Sequence, residues 1–169
     1  MSATTTPRAV THIGITVTDI EAAIRWYEDV MGFRLIGEPG EVDLNDGSHF
    51  AQVCTDIFGA DSGTNKLRLA HLSTANGTAL ELFEYVDPPT EVPENNFVYR
   101  QAGINHFCVT DPDVAGLARR IEETGGKQRS EVWSLFEGQP YEICYCEDPF
   151  GTIVEIYSHS HEQMFANQG

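Results

Sequence analysis

The sequence predicts an α+β protein made of two copies of one strand–helix–hairpin unit. Three observations predict it. His12 in T-H-I-G-I-T-V-T-D and His106 in N-H-F-C-V-T-D-P-D each open an alternating, strand-like run. An aspartate follows seven residues later, Asp19 and Asp113, and a glycine twenty residues later, Gly32 and Gly126. Each half then closes on an apolar strand with a glutamate inside it, Leu80-Glu81-Leu82 and Val154-Glu155-Ile156. A fixed order of unlike features, repeated in register, marks an internal duplication.

The elements follow in order. After the first strand the chain reads as a helix over Ile20–Met31, with Ile20, Ile24, Tyr27 and Val30 on one side and charges on the other. Thr18 and Glu21 have capping-box spacing at its start, and Gly32 supplies a stop. A hairpin is expected over 66–73 and 79–85, turning at Asn76-Gly77. In the second half, 114–124 reads as a helix with Val114, Leu117, Ala118 and Ile121 on one face, ended by Gly126. A second hairpin over 141–146 and 152–157 turns at Asp148-Pro149-Phe150-Gly151.

The halves differ in length, with 69 residues from His12 to Glu81 and 49 from His106 to Glu155. The excess lies between Gly37 and Asn65, rich in Asp and Gly, and including Asp43, Asp46, Gly59, Asp61 and Gly63. Phe50, Val53, Ile57 and Phe58 make it apolar enough to pack as an ordered flap. The division expected is a tail at 1–8, a first module at 9–86 with an inserted loop at about 38–65, a linker at 87–102 carrying Pro88, Pro89 and Pro93, a second module at 103–158, and a polar, frayed tail at 159–169.

Composition bounds the partners. A formal net charge of −16 repels phosphate backbones, which argues against nucleic acid, and disfavours strongly anionic substrates. No apolar run reaches the length of a membrane span, and the polar start shows no signal-peptide core. The four cysteines form no CxxC pair, and Cys144 and Cys146 share one strand face. They read as small apolar fillers in a reducing cytoplasm.

Alternate strand residues share a face. His12 therefore lies with Gly14 and Thr16, His106 with Cys108 and Thr110, Glu81 with Phe83 and Tyr85, and Glu155 with Tyr157 and His159. A single glutamate in an apolar strand can be a satisfied core acid, and a single strand histidine is commonly structural. The duplication gives two imidazoles and two carboxylates in matched places, and a divalent cation compensates such a set. Mixed His and carboxylate donors suit Ni, Co, Mn, Fe(II) or Zn.

The segments at 11–33, L-E-L-F-E at 80–84, I-N-H-F-C-V-T-D at 104–111 and D-P-F-G-T-I-V-E-I at 148–156 resemble the vicinal oxygen chelate superfamily. That superfamily includes glyoxalase I, methylmalonyl-CoA epimerase, extradiol dioxygenases, and the fosfomycin and bleomycin resistance proteins. The resemblance spans residues 9–158. It implies two βαβββ modules forming a curved half-barrel around a metal site, and association as a homodimer. It carries the metal-ligand positions onto His12, Glu81, His106 and Glu155. A His/Glu/His/Glu set is closest to glyoxalase I, because the dioxygenases and fosfomycin enzymes lack a ligand like Glu81, the epimerases have Gln there, and the bleomycin binders lack the set. The activity implied is that of a lyase or isomerase. It acts on a small substrate with adjacent oxygens through a metal-stabilised enediolate, with Glu155 or Glu81 as catalytic base. An Fe(II) ring-cleaving dioxygenase and a non-catalytic small-molecule binding or resistance protein are the alternatives. The chain departs from glyoxalase I in its 38–65 insertion and in having no evident basic pocket for glutathione carboxylates.

Substrate-binding candidates are Arg68, Trp133, His159 and Tyr141. Arg68 shares a face with Glu81 if the Asn76-Gly77 turn has two residues. Trp133 lies in a loop at 129–138, His159 lies on the Glu155 face, and Tyr141 and His49 are placed to line a flap or mouth. His71 and His161 read as background, and Trp26 and Tyr27 as helix packing.

Overall fold

Both repeats fold with one strand topology. The computed structural model describes residues 6–58 and 63–166. The N-terminal tail's first five residues, the loop residues Gly59 and Asp61, and the end of the C-terminal tail lie outside them. The chain divides into two compact units, Met1–Thr90 and Glu91–Gly169.

Unit 1 runs β1 (His12–Thr16), α1 (Ile20–Met31), β2 (Arg34–Leu35), β3 (Gly40–Asp43), α2 (His49–Phe58), β4 (Lys66–Ser73) and β5 (Ala79–Asp87). Its open sheet has the order β1-β5-β4-β2, with β3 also on β4. Unit 2 runs β6 (Phe107–Thr110), α3 (Val114–Glu123), β7 (Lys127–Gln128), β8 (Trp133–Ser134), β9 (Glu142–Glu147), β10 (Ile153–Tyr157) and α4 (His161–Ala166). Its sheet repeats the pattern, β6-β10-β9-β7, with β8 also on β9. In each unit two short strands share one neighbour, so each reads as βαβββ with its second strand interrupted. The first strand lies parallel to the last, β1 on β5 and β6 on β10.

Side-chain alternation gives each sheet a helix-covered face. In unit 1, Ala70, Leu72, Leu80 and Leu82 are buried, and so are Ile20, Ala23, Ile24, Tyr27 and Val30 of α1, which packs on β4 and β5. In unit 2, Cys144, Cys146, Val154 and Ile156 are wholly buried, with Val114, Leu117, Ala118 and Ile121 of α3 against β9 and β10. Both cysteines are free thiols, their sulfurs 3.9 Å apart, and serve as small core residues.

The caps correct two sequence readings. Asp19, not Thr18, caps α1: its extended backbone presents Oδ1 to the Ala22 N–H at 2.9 Å. Asp113 does the same for Gly116 at the start of α3. Gly32 ends α1 in the left-handed conformation. In α3 the cap is Thr124, and Gly125 rather than Gly126 takes the positive φ, 98°. Gly126 is required for another reason. A Cβ there would sit 2.4 Å from the Glu147 carbonyl oxygen and 2.5 Å from Ile121 Cγ2, so the turn passes directly against β9.

Two segments hold more structure than expected. The insertion contains β3 and the ten-residue helix α2, whose Cys54 and Phe58 pack with Val42, Leu67, Leu69, Phe83 and Tyr85. The tail after Tyr157 is not frayed throughout, because α4 turns back and buries Met164 against Tyr141 and Tyr157.

Candidate metal centre

The face of each sheet opposite its first helix carries the predicted donors. In unit 1, β1 and β5 align Gly14 with Glu81 in parallel register, which brings His12, two residues earlier, beside the glutamate. His12 Nε2 lies 3.6 Å from Glu81 Oε2. In unit 2, β6 and β10 align Cys108 with Glu155, and His106 Nε2 lies 3.2 Å from Glu155 Oε2. The structure thus pairs each histidine with the glutamate of its own module. No group of three His, Cys, Asp or Glu side chains among the described residues is arranged to hold an ion by itself.

The pairs fit a cation chemically. Ligands about 2.1 Å from one ion stand about 3.0 Å apart at right angles and about 3.4 Å apart at the tetrahedral angle. The observed separations of 3.2 and 3.6 Å lie close to that range. The other ring nitrogen is engaged in both histidines, His106 Nδ1 with Asn105 Oδ1 at 2.6 Å and His12 Nδ1 with Thr11 Oγ1 at 3.0 Å. Such outer partners fix an imidazole's orientation and leave Nε2 for a ligand.

The surroundings of the two glutamates differ. The Glu155 side chain is 5% exposed and that of Glu81 is 21% exposed. The Tyr145 side chain lies cross-strand from Glu155, Tyr157 lies two residues further along the same strand face, and Cys108 lies beside Glu155 in register on β6. Tyr99 completes an aromatic wall, its ring 5.7 Å from Tyr145 and 6.2 Å from His106. Burial first, and then the Glu155 charge, push the Tyr99 and Tyr157 phenols up to about 12. Burial, with the Glu155 hydrogen bond and charge, also raises the Tyr145 phenol. All three stay protonated at neutral pH and can only donate to the carboxylate.

Around Glu81 the cross-strand position belongs to His71, whose Nδ1 is 3.7 Å from Oε1. Toward the far end of β5, this face is roofed by α2 over Phe83 and Tyr85, with the Phe58 ring 5.7 Å from Phe83 and 6.2 Å from Tyr85. Gly14 leaves room for Phe83, whose Cε2 would be 3.1 Å from a Cβ there.

The remaining candidates fall in different places. Arg68 is not on the Glu81 face. The turn is a three-residue loop closed by Thr74 and Thr78, so Ser73 pairs with Ala79 and Arg68 with Glu84. That one-residue change of register turns Arg68 to the α1 side, where it binds Glu21 and Glu84. Trp133 is 62% exposed and pairs with Ile143, which pairs in turn with Tyr157, so it shares the Glu155 face. Tyr141 is buried with Tyr157 and Met164 rather than lining a mouth. His159 lies beside it, ring to ring at 5.0 Å, with Nδ1 2.8 Å from Ser158 Oγ. His49 opens α2.

Three residues around the pairs fall outside the set that sequence reasoning singles out for the site. Tyr145 and His71 carry a usable signal, since each lies ten residues before its module's glutamate. Tyr99 carries none, because it comes from an irregular segment within the expected linker. Asn96 anchors that segment by donating to the Gly151 carbonyl, and Arg129 lies 5.3 Å over the Phe97 ring.

The comparisons with known proteins agree with this architecture. A profile of the Glyoxalase/Bleomycin resistance protein/Dioxygenase superfamily matches residues 9–156. No curated protein matches the sequence. Among solved structures, a glyoxalase family protein from Bacillus cereus superposes with a TM-score of 0.71 at 22% identity, covering 93% of this chain and 97% of its own. Glyoxalase I from Zea mays superposes at 0.56 and 21% identity, over 89% of this chain and 44% of the maize chain. A mutant of the genomically encoded fosfomycin resistance protein FosX from Listeria monocytogenes, complexed with Mn(II) and 1S,2S-dihydroxypropylphosphonic acid, superposes at 0.58 and 12% identity, over 94% of this chain and 95% of its own. At these identities the structural likeness speaks for the fold. With the profile match over most of its length, the chain belongs to the glyoxalase/bleomycin resistance protein/dioxygenase superfamily.

Proposed function

We propose that the chain is a divalent-metal-dependent vicinal oxygen chelate enzyme, a glyoxalase I-like lyase or isomerase, with His12, Glu81, His106 and Glu155 as metal ligands. The observation that carries this reading is the duplicated pairing itself: the first-strand histidine and last-strand glutamate of each module approach to 3.6 and 3.2 Å with their outer nitrogens engaged. When bound, the cation supplies Lewis-acid stabilisation of negative charge on two adjacent substrate oxygens. Glu155 is the base. Its carboxylate takes a proton from the carbon beside a carbonyl and returns it to the neighbouring carbon. Tyr145 and Tyr157 hold that carboxylate in place, and the aromatic wall keeps water from it.

The substrate is small and carries little negative charge. Arg68 is engaged by Glu21 and Glu84, Lys66 by Glu41, and Lys127 and Arg129 by Glu147, so these cations are committed to carboxylates of the protein. That supports an uncharged α-hydroxycarbonyl over a glutathione adduct.

The test is metal content by mass spectrometry, followed by proton exchange at the α-carbon of simple α-hydroxyketones in D2O, monitored by NMR. About one transition metal per chain and metal-dependent exchange are expected, with Glu155→Gln slowing exchange by about 10²–10⁴-fold. Iron accompanied by oxygen uptake with catechols would instead select the ring-cleaving dioxygenase. A protein that takes up no metal even on reconstitution would be a binding protein.

A further inference from the structure

The two modules correspond position by position in their strand register, and this assigns a partner to Glu81. In unit 2, Tyr145 lies directly across from Glu155 on the neighbouring antiparallel strand. In unit 1, the residue across from Glu81 is His71. The two imidazoles near Glu81 address different oxygens: His12 Nε2 is 3.6 Å from Oε2, and His71 Nδ1 is 3.7 Å from Oε1. A carboxylate gripped through one oxygen presents the other in a fixed direction, which is how outer partners orient metal-ligating groups.

We propose that His71 is the positioning residue of Glu81, holding Oε1 so that Oε2 remains, with His12 Nε2, for a divalent cation. This rests on the metal-centre reading above. At 3.7 Å the contact is an ion-pair approach, a small side-chain rotation from a hydrogen bond. The His71 side chain is 49% exposed, so its replacement leaves no cavity in the core.

The experiment uses the full chain, stripped of metal, as wild type, His71→Ala and His71→Asn. Asparagine places an amide N–H near the position of Nδ1. Co(II) is the probe, its affinity read by competition with a chromophoric chelator and its ligand field by visible absorption. His71→Ala is expected to weaken Co(II) binding by about 10–100-fold and to alter the absorption envelope. His71→Asn is expected to recover most of the affinity, and the melting temperature of the metal-free protein should be the same in all three. Wild-type affinity and spectrum in His71→Ala would overturn the assignment. So would an equal loss in His71→Asn, or a fall in metal-free melting temperature that tracks the affinity. A wild-type chain that takes up no Co(II) would fail the metal-centre reading itself, a result distinct from these.

Discussion

The two modules share a topology and a His/Glu pair but set that pair in different surroundings. In unit 2 the carboxylate is buried beside two phenols and a thiol, and its histidine packs against Tyr99 and Tyr145. In unit 1 the corresponding positions hold His71, Phe83 and Gly14, and the pair stays more open. A duplicated fold fixes where the donors lie. The residues one strand away decide how firmly each donor is held and how dry it is. Glu155 has a desolvated setting, with its side chain 5% exposed, and Glu81 a more open one, at 21%.

Removing the most specific unit 2 feature is the strongest way to break the contrast. Tyr145→Phe takes a donor from a buried carboxylate and should weaken Co(II) binding by about 10–100-fold. Thermal unfolding of the metal-free protein should show a loss of about 1.5–3 kcal/mol, the scale of a hydrogen bond to a charged group. If Tyr145→Phe proves neutral in both measurements, the burial of Glu155 is not what separates the units.

The next test lies outside the centre. Glu147 is buried, and although burial alone raises its carboxyl, hydrogen bonds from Lys127 and Arg129 bring it below the usual range. A depressed folded value means that its stabilisation is present above the unfolded carboxylate value, about pH 4.3, and is lost as pH falls through the folded value. Glu147→Gln should cost about 2 kcal/mol at neutral pH and flatten the acid limb of stability against pH in urea titrations. An unchanged acid limb would mean that other carboxylates set it.

The smallest effect expected is that of Arg68→Ala, which removes a partly exposed ion pair with Glu21 and Glu84. Chemical denaturation should register no more than about 1 kcal/mol, and metal affinity should not move. A changed affinity would return Arg68 to the Glu81 face.

Much of this is legible in the sequence, and the exceptions have definite causes. The duplication and the bounds of α1 follow from spacing and alternation, whereas the pairing of each histidine with its own module's glutamate comes from the parallel register of first and last strands, which alternation within a strand does not encode. Arg68 is misplaced by sequence alone because Asn76-Gly77 serves a two-residue and a three-residue loop equally well, and the one-residue difference inverts a face. Helix α2 is hidden because the Asp and Gly residues around it dominate the local composition, although Ala51 and Cys54 are spaced to bury one side. Helix α4 is six residues long and is held by one buried methionine, too little for periodicity to register. Tyr99 reaches its place through the Asn96 anchor, a long-range contact that no local pattern encodes.

The parallel pairing of first and last strands in each module has a consequence for how the protein is made. The histidine of a module leaves the ribosome before its glutamate by 69 residues in one case and 49 in the other. Neither donor pair can form until the whole intervening chain has emerged and β5 or β10 has docked beside the waiting edge of β1 or β6. Such non-local closure comes late in folding. A cation held by both pairs, as proposed, would therefore be captured only once both modules are finished, and a nascent chain halted before Glu81 or Glu155 would carry a lone imidazole on an unpaired strand.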